Sequence, residues 1–135
     1  MALEKRRYSD LDLSFTPHPD TGDLIPLRGD RAIARAVRQI VSTNFYEKFY
    51  NPSFGGNVIS QLFEQYDSQT EHIIKTKIQE AIRDYEPRVR IQSIQVMSPP
   101  SKNLLNQNTL VLQIQFYIVG ETESKQITFS LKRVR

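Results

Sequence analysis

The sequence predicts an α+β fold: an N-terminal strand, a helical middle of about three helices, and C-terminal antiparallel strands forming one small sheet. Three patterns lead there. Apolar residues recur at helical spacing through Ile74, Ile78, Ile82 and Tyr85. They alternate with polar ones through Leu110, Leu112, Ile114, Phe116 and Ile118, and again through Ile127, Phe129 and Leu131. Between the two regimes stands Glu86-Pro87-Arg88, where a helical pattern stops and a strand-like one begins. At 135 residues with 39% apolar content, the chain reads as one domain, 1–135, long enough to bury a core. The helical part covers about 30–86, and the β part about 8–15 and 88–133.

Residues 8–15 place Leu11, Leu13 and Phe15 on one face and Asp10, Asp12 and Ser14 on the other, the mark of a half-buried strand. Pro17, Pro19, Gly22, Pro26 and Gly29 then make residues 16–30 a loop. Asp30 is placed to cap the helix that follows, whose stripe is Ile33, Val37, Ile40 and Val41. A second breaker cluster, "NPSFGG" at 51–56, precedes a short amphipathic helix bearing Val58, Ile59, Leu62 and Phe63. Ser68 and Glu71 have the spacing of a capping box, so a helix is expected over 69–85. Pro87 disfavours helical geometry at Glu86 and stops it. Val89 and Ile91 share one parity and Ile94 and Val96 the other, which predicts a bulge near Gln92-Ser93. Residues 99–108 read as a loop and "GETES" as the turn between the last two strands.

Composition removes several functional classes. The chain has no cysteine, so disulfides and thiolate metal sites are out, and two histidines do not make a His-based zinc cluster. "MALEKRRYSD" lacks a following apolar run, so no secretory signal is expected, and no stretch of about eighteen apolar residues spans a bilayer. A net charge of +3 permits an acidic partner without announcing nucleic acid. No nucleophile elbow or glycine-rich phosphate loop is present. Neither a catalytic residue nor a metal or cofactor ligand is assigned.

What remains is a short set of surfaces with two readings each. Glu86, with Glu80 or Asp84 as second carboxylate, is the one arrangement a hydrolase could use; both partners look solvated. Arg31, Arg35 and Arg38 share a helix face that is either solvated or a basic surface for nucleic acid or an acidic protein, with no interleaved aromatics to stack on bases. Tyr46, Phe49, Tyr50 and Phe54 are either a satellite core under a loop or a partner-binding surface. Ile127, Phe129 and Leu131 lie on a terminal strand, and such a strand is often a sheet edge that another chain can continue. His18 and His72 read as surface residues.

A P-x-F-G turn (Pro52, Phe54, Gly55), a short helix closed by Leu62 and Phe63, a long helix, and the triplet Glu86-Pro87-Arg88 follow one another in this order. Over about residues 30–119 the set resembles the baseplate wedge proteins of contractile-tailed phages, with relatives in contractile bacteriocins and type VI secretion baseplates. The resemblance implies a structural virion protein, a sheath initiator of the tail baseplate, assembled in the host cytoplasm. It implies several copies in an inner ring near the tail tube, with the helical part packed against other wedge proteins in a small helical bundle. The β part would imitate the sheath subunit's linking domain and receive strands from the first sheath ring. Glu86, Pro87 and Arg88 would be a wedge-contact motif, and Pro52, Phe54 and Gly55 of the shared turn are further expected partner-binding residues. No membrane and no direct nucleic-acid partner is implied. Some members carry a lysozyme-like label, which keeps peptidoglycan hydrolysis as the alternative and a nucleic-acid module behind it. One question stays open: Glu86 and Arg88 either pair internally to clamp helix to sheet, or point at a neighbouring protein. The resemblance favours the neighbour.

Overall fold

The computed structural model of the chain describes residues 9–63, 67–97 and 109–132. In chain order these form β1 (Ser9–Leu11), β2 (Pro26–Arg28), α1 (Asp30–Ser42), a 3-10 helix (Ile59–Phe63), α2 (Ser68–Tyr85), β3 (Val89–Met97), β4 (Thr109–Ile118) and β5 (Ser124–Lys132). The α+β class holds, with two α-helices and one 3-10 turn where about three helices are expected.

The C-terminal strands make an antiparallel sheet in the order β3-β4-β5. β4 is the central strand, and its alternation becomes burial: Leu110, Leu112, Ile114, Phe116 and Ile118 are all buried. Ile127, Phe129 and Leu131 stand opposite Ile114, Leu112 and Leu110. On the other side the register shifts between Ile91 and Ser93. That bulge absorbs Gln92, so Ile91 faces Phe116 and Ile94 faces Ile114 on the same side of the sheet. The parity change in the sequence is therefore this bulge.

The inner face of the sheet is covered by the helices. Ile33, Val37 and Val41 of α1, Ile74, Ile78 and Ile82 of α2, and Val58 and Leu62 around the 3-10 helix join the sheet residues in one core cluster. Burying a side chain of this size contributes about 1.5–3 kcal/mol. α2 packs against β3, while α1 packs against α2 and reaches β5.

Both expected caps are different residues. Asp67, not Ser68, caps α2: its carboxylate accepts from the Thr70 amide at 2.7 Å, and Ser68 is already helical. Glu71 pairs with Lys75 at 2.6 Å instead of closing a box. At α1 the cap position belongs to Gly29, at φ 60°, with no side-chain cap bond. Asp30 lies inside the first turn and its carboxylate meets Lys125 of β5 at 2.9 Å. In each case a neighbouring acceptor or cation outcompeted the local motif.

The N-terminal expectation also changes. The strand is only Ser9–Leu11 and pairs with β2, a strand inside the segment read as loop; Pro17 and Leu24 form a further bridge there. Asp12 ends the strand by accepting the Ser14 amide at 3.0 Å, and Phe15 turns at φ 52°. Leu11, Leu13 and Phe15 are exposed. The expected half-buried face over 8–15 does not form: the strand ends at Leu11, and Leu13 and Phe15 follow in a turn. Tyr8 and the 99–108 loop fall outside the described residues.

Candidate assembly surfaces

Glu86 is the first non-helical residue after α2; its amide still donates to the Ile82 carbonyl. Its carbonyl then accepts from Val89 at 3.2 Å, so Pro87 and Arg88 are the corner of a β-turn into β3. The turn folds Arg88 back on its neighbour. Arg88 Nε donates to Glu86 Oε1 at 2.5 Å and Nη2 to Oε2 at 2.7 Å, a bidentate fork. The Glu86 side chain is 4% exposed and that of Arg88 34%. The open question thus has an internal answer in this chain: the pair is made between Glu86 and Arg88. Arg88 and exposed Pro87 are the parts that reach the surface.

The P-x-F-G turn lies against the same place. Phe54 packs on Tyr85, the residue before Glu86, with ring centroids 4.8 Å apart. The Tyr85 hydroxyl donates to the Ser53 carbonyl at 3.1 Å. Lys48 Nζ sits 4.1 Å from the Phe54 ring centroid. Two motifs thirty residues apart in the chain thereby form one knuckle, and Tyr85 is the joint. Sequence reasoning took Tyr85 as the last position of a core stripe; that it follows the stripe and precedes the charged triplet was the available signal.

Gly55 does not face outward. It is buried at φ 110°, and a Cβ there would come within 2.3 Å of the Thr43 carbonyl oxygen. The neighbouring Gly56 amide donates to the Ile40 carbonyl at 2.9 Å. The glycine pair therefore seats the loop on the end of α1, and the loop's side chains do the presenting.

Those side chains are aromatic. Tyr46, Phe49 and Tyr50 are 85%, 88% and 105% exposed, so three of the four crowded aromatics are surface and only Phe54 is packed. Tyr46 and Tyr50 sit at φ 68° and 65°, a conformation that costs an aromatic residue on the order of 1–3 kcal/mol. The loop is braced against that strain: Asn44 donates from its amide and side chain to Glu47 at 2.9 and 3.0 Å, and Tyr46 donates to the Pro52 carbonyl at 2.8 Å. An open groove of about 670 Å³ lies beside it, lined by Gln39 and Ile40 of α1, by Lys48, Phe49 and Phe54 of the loop, and by Glu86.

The terminal strand has a different character. Phe129 and Leu131 are buried in the chain's own core and Ile127 is half-buried, so their side chains are already occupied. What β5 offers is backbone. Among the described residues no strand pairs on its outer side, and no backbone bond outside the β4 ladder involves residues 124–132. Its register with β4 is unbroken over nine pairs.

The remaining candidates find local uses. Both oxygens of Glu86 are held by Arg88, while Glu80 and Asp84 are exposed and Asp84 meets Arg83 at 3.3 Å. That is not a carboxylate pair flanking a cleft. Arg31 and Arg38 are exposed, and the side chain of Arg38 lies 5.8 Å from the Phe129 ring centroid. His18 accepts the Asp20 amide in its loop, and His72 is exposed. Among the described residues no group of His, Asp or Glu is arranged to hold a metal ion, and no helix is long and apolar enough to cross a membrane.

A family model described as baseplate wedge protein gp25 matches residues 27–123. The chain is 26% identical over 132 residues to baseplate wedge protein gp25 of Enterobacteria phage T4, covering 97% of this chain and 96% of that protein. Among solved structures it is similar to a chain of the anti-feeding prophage baseplate, with a TM-score of 0.71, 21% identity, and coverage of 87% and 90%. A Geobacter sulfurreducens protein described as a candidate tail lysozyme has a TM-score of 0.65 and 19% identity over 76% of this chain and 89% of its own. Both structural likenesses are likenesses of fold.

Proposed function

The chain belongs to the baseplate wedge protein gp25 family and is a structural protein of a contractile-tail baseplate; within that role, we propose that it works through two separate faces. The knuckle of Pro52, Phe54, Pro87 and Arg88, extended by Tyr46, Phe49 and Tyr50, docks on other wedge proteins, whose helices would complete a small bundle. Gly55 and Glu86 serve this face from beneath, one by seating the loop and the other by fixing Arg88. The β5 edge receives a strand from the first sheath ring, which makes the protein a sheath initiator.

One observation supports the division. The charged turn opens into β3, and β5, which pairs only with β4 among the described residues, is the edge on the far side of β4. Two strand spacings, about 10 Å, separate them. A wedge protein and a sheath strand can therefore be held at once, which an initiator requires. Each added main-chain hydrogen bond contributes about 0.5–1.5 kcal/mol, and repetition along the edge and around a ring of several copies makes weak contacts decisive. The whole chain acts as one wedge unit in the virion tail, near the tube. We assign it no catalysis: a peptidoglycan-clearing assay in which the wild type clears and Glu86→Gln does not would reverse that.

The test of the edge is Ile127→Lys, which puts an inward-pointing charge on an edge strand without touching the knuckle. Its melting midpoint serves as the folding control. The expected particle carries the variant in its baseplate and fails to start a sheath. Full sheaths on baseplates containing the folded variant would sink the β5 assignment.

A further inference from the structure

One flank of α1, bearing Asp30 and Arg38, runs beside β5. Asp30 and Arg38 lie eight residues apart, about 12 Å along a helix. Lys125 and Phe129 lie four apart, about 13 Å along a strand. Asp30 touches Lys125 and Arg38 lies against Phe129, so α1 runs alongside β5 between these two contacts. Arg31, Arg35 and Arg38 recur at helical spacing on the face of α1 turned away from its buried stripe. Asp12 is near enough to feel the charge of Arg35. Arg31 and Arg38 meet no carboxylate among the described residues.

The charge along the edge is uneven. At its Ser124 end, Lys125 is surrounded by three carboxylates: Asp30 at 2.9 Å, Glu123 at 3.3 Å and Glu121 at 4.0 Å. At its other end Arg38 and exposed Lys132 stand without an acidic partner among the described residues. A strand added outside β5 would continue the sheet. Its inward side chains would lie next to Ile127, Phe129 and Leu131, under the flank of α1 that carries Arg38.

Resting on the strand-addition reading above, we propose that the β5 edge and the flank of α1 that carries Arg38 form one composite acceptor for an acidic extended segment of a partner protein. The backbone of β5 supplies the ladder; toward its Lys132 end Arg38 stands over the core face of the sheet and Lys132 lies on the opposite face, so the two select carboxylates at neighbouring positions of the incoming strand, one on each face. The cations thus do more than guard the edge against indiscriminate pairing. They admit one kind of strand and repel a basic one, so specificity comes from an attractive and a repulsive element together. At the β3 edge the bulge interrupts the template.

The experiment uses the full chain and two eight-residue peptides, repeats of Thr-Glu-Glu-Thr and of Thr-Gln-Gln-Thr, which present the tested side chain on both faces of a strand, followed through the amide signals of residues 124–132. The acidic peptide should perturb those amides and bind roughly fivefold tighter than the amide peptide, the contribution of two exposed ion pairs. High salt, or the double variant Arg38→Gln with Lys132→Gln, should erase the difference; both positions are exposed, so the fold is kept. Equal binding of the two peptides at β5 would overturn the charge selection while leaving strand addition standing. No perturbation of β5 by either peptide would overturn both. A short DNA duplex that shifts the signals of Arg31, Arg35 and Arg38 at concentrations where the acidic peptide does not would overturn the proposal in favour of nucleic acid.

Discussion

Arg88 reaches back over the corner of its turn and closes two nitrogens on a carboxylate that water hardly touches. The energetic weight of the pair lies in that asymmetry. Replacing both charges with neutral residues of similar volume is close to neutral, whereas removing one leaves the other buried and uncompensated. Arg88→Ala should therefore destabilise the isolated chain by about 3–5 kcal/mol in urea melts. Adding Glu86→Gln to it should recover most of the loss, a coupling that a double-mutant cycle measures. A single variant that melts with the wild type would show that Arg88 does not hold Glu86. This bears on how the charged triplet works in assembly. In the proposed docking Arg88 would meet a partner already oriented by Glu86, so a charge reversal at Arg88 perturbs folding before it tests contact.

At the scale of elements, two local devices decide where strands and helices begin. The Thr70 amide bonded to the Asp67 carboxylate holds its pKa below the usual 3.8. A carboxyl whose folded pKa is depressed contributes stability above its unfolded pKa and loses it as pH falls through the folded value. The α2 cap therefore fades below about pH 4, and in a pH series of melting curves Asp67→Asn should flatten that loss while still accepting the bond. Asp67→Ala should lower Tm by a few degrees at neutral pH, and Ser68→Ala should not. The second device is the bulge. Deleting Gln92 keeps Ile91, Ile94 and Val96 facing inward, since the deleted residue is the one the bulge accommodates. Deleting Gln113 from β4 would turn half of that strand inside out. A cooperative melt is expected for the first deletion and none for the second.

For the whole molecule, the arrangement separates cohesion from presentation. The apolar stripes of both helices and the sheet go into one core, leaving two surfaces that the fold itself does not need: the aromatic loop and the outer side of β5. Phe49→Ser with Tyr50→Ser should leave stability within about 0.5 kcal/mol, because both side chains are exposed. The same variant should fail to co-purify with the other wedge proteins, and retained association would remove the loop from the wedge face. Much of this was legible in the residues. Helical spacing, strict alternation and a proline after Glu86 depend only on the chain's local geometry, so they located α1, α2, β4, β5, the bulge and the helix stop. The order of the motifs carried the family resemblance. Pairing and exposure are decided between distant segments, and these required the fold: that Asp67 caps α2, that Asp30 serves Lys125, that Leu11, Leu13 and Phe15 are exposed, that Phe54 rests on Tyr85. The charged junction divides along the same line. Its sequence determined that a helix must end there and that two charges must find partners. Only the turn at Pro87, by folding Arg88 onto a carboxylate buried at the end of α2, decided that they find each other.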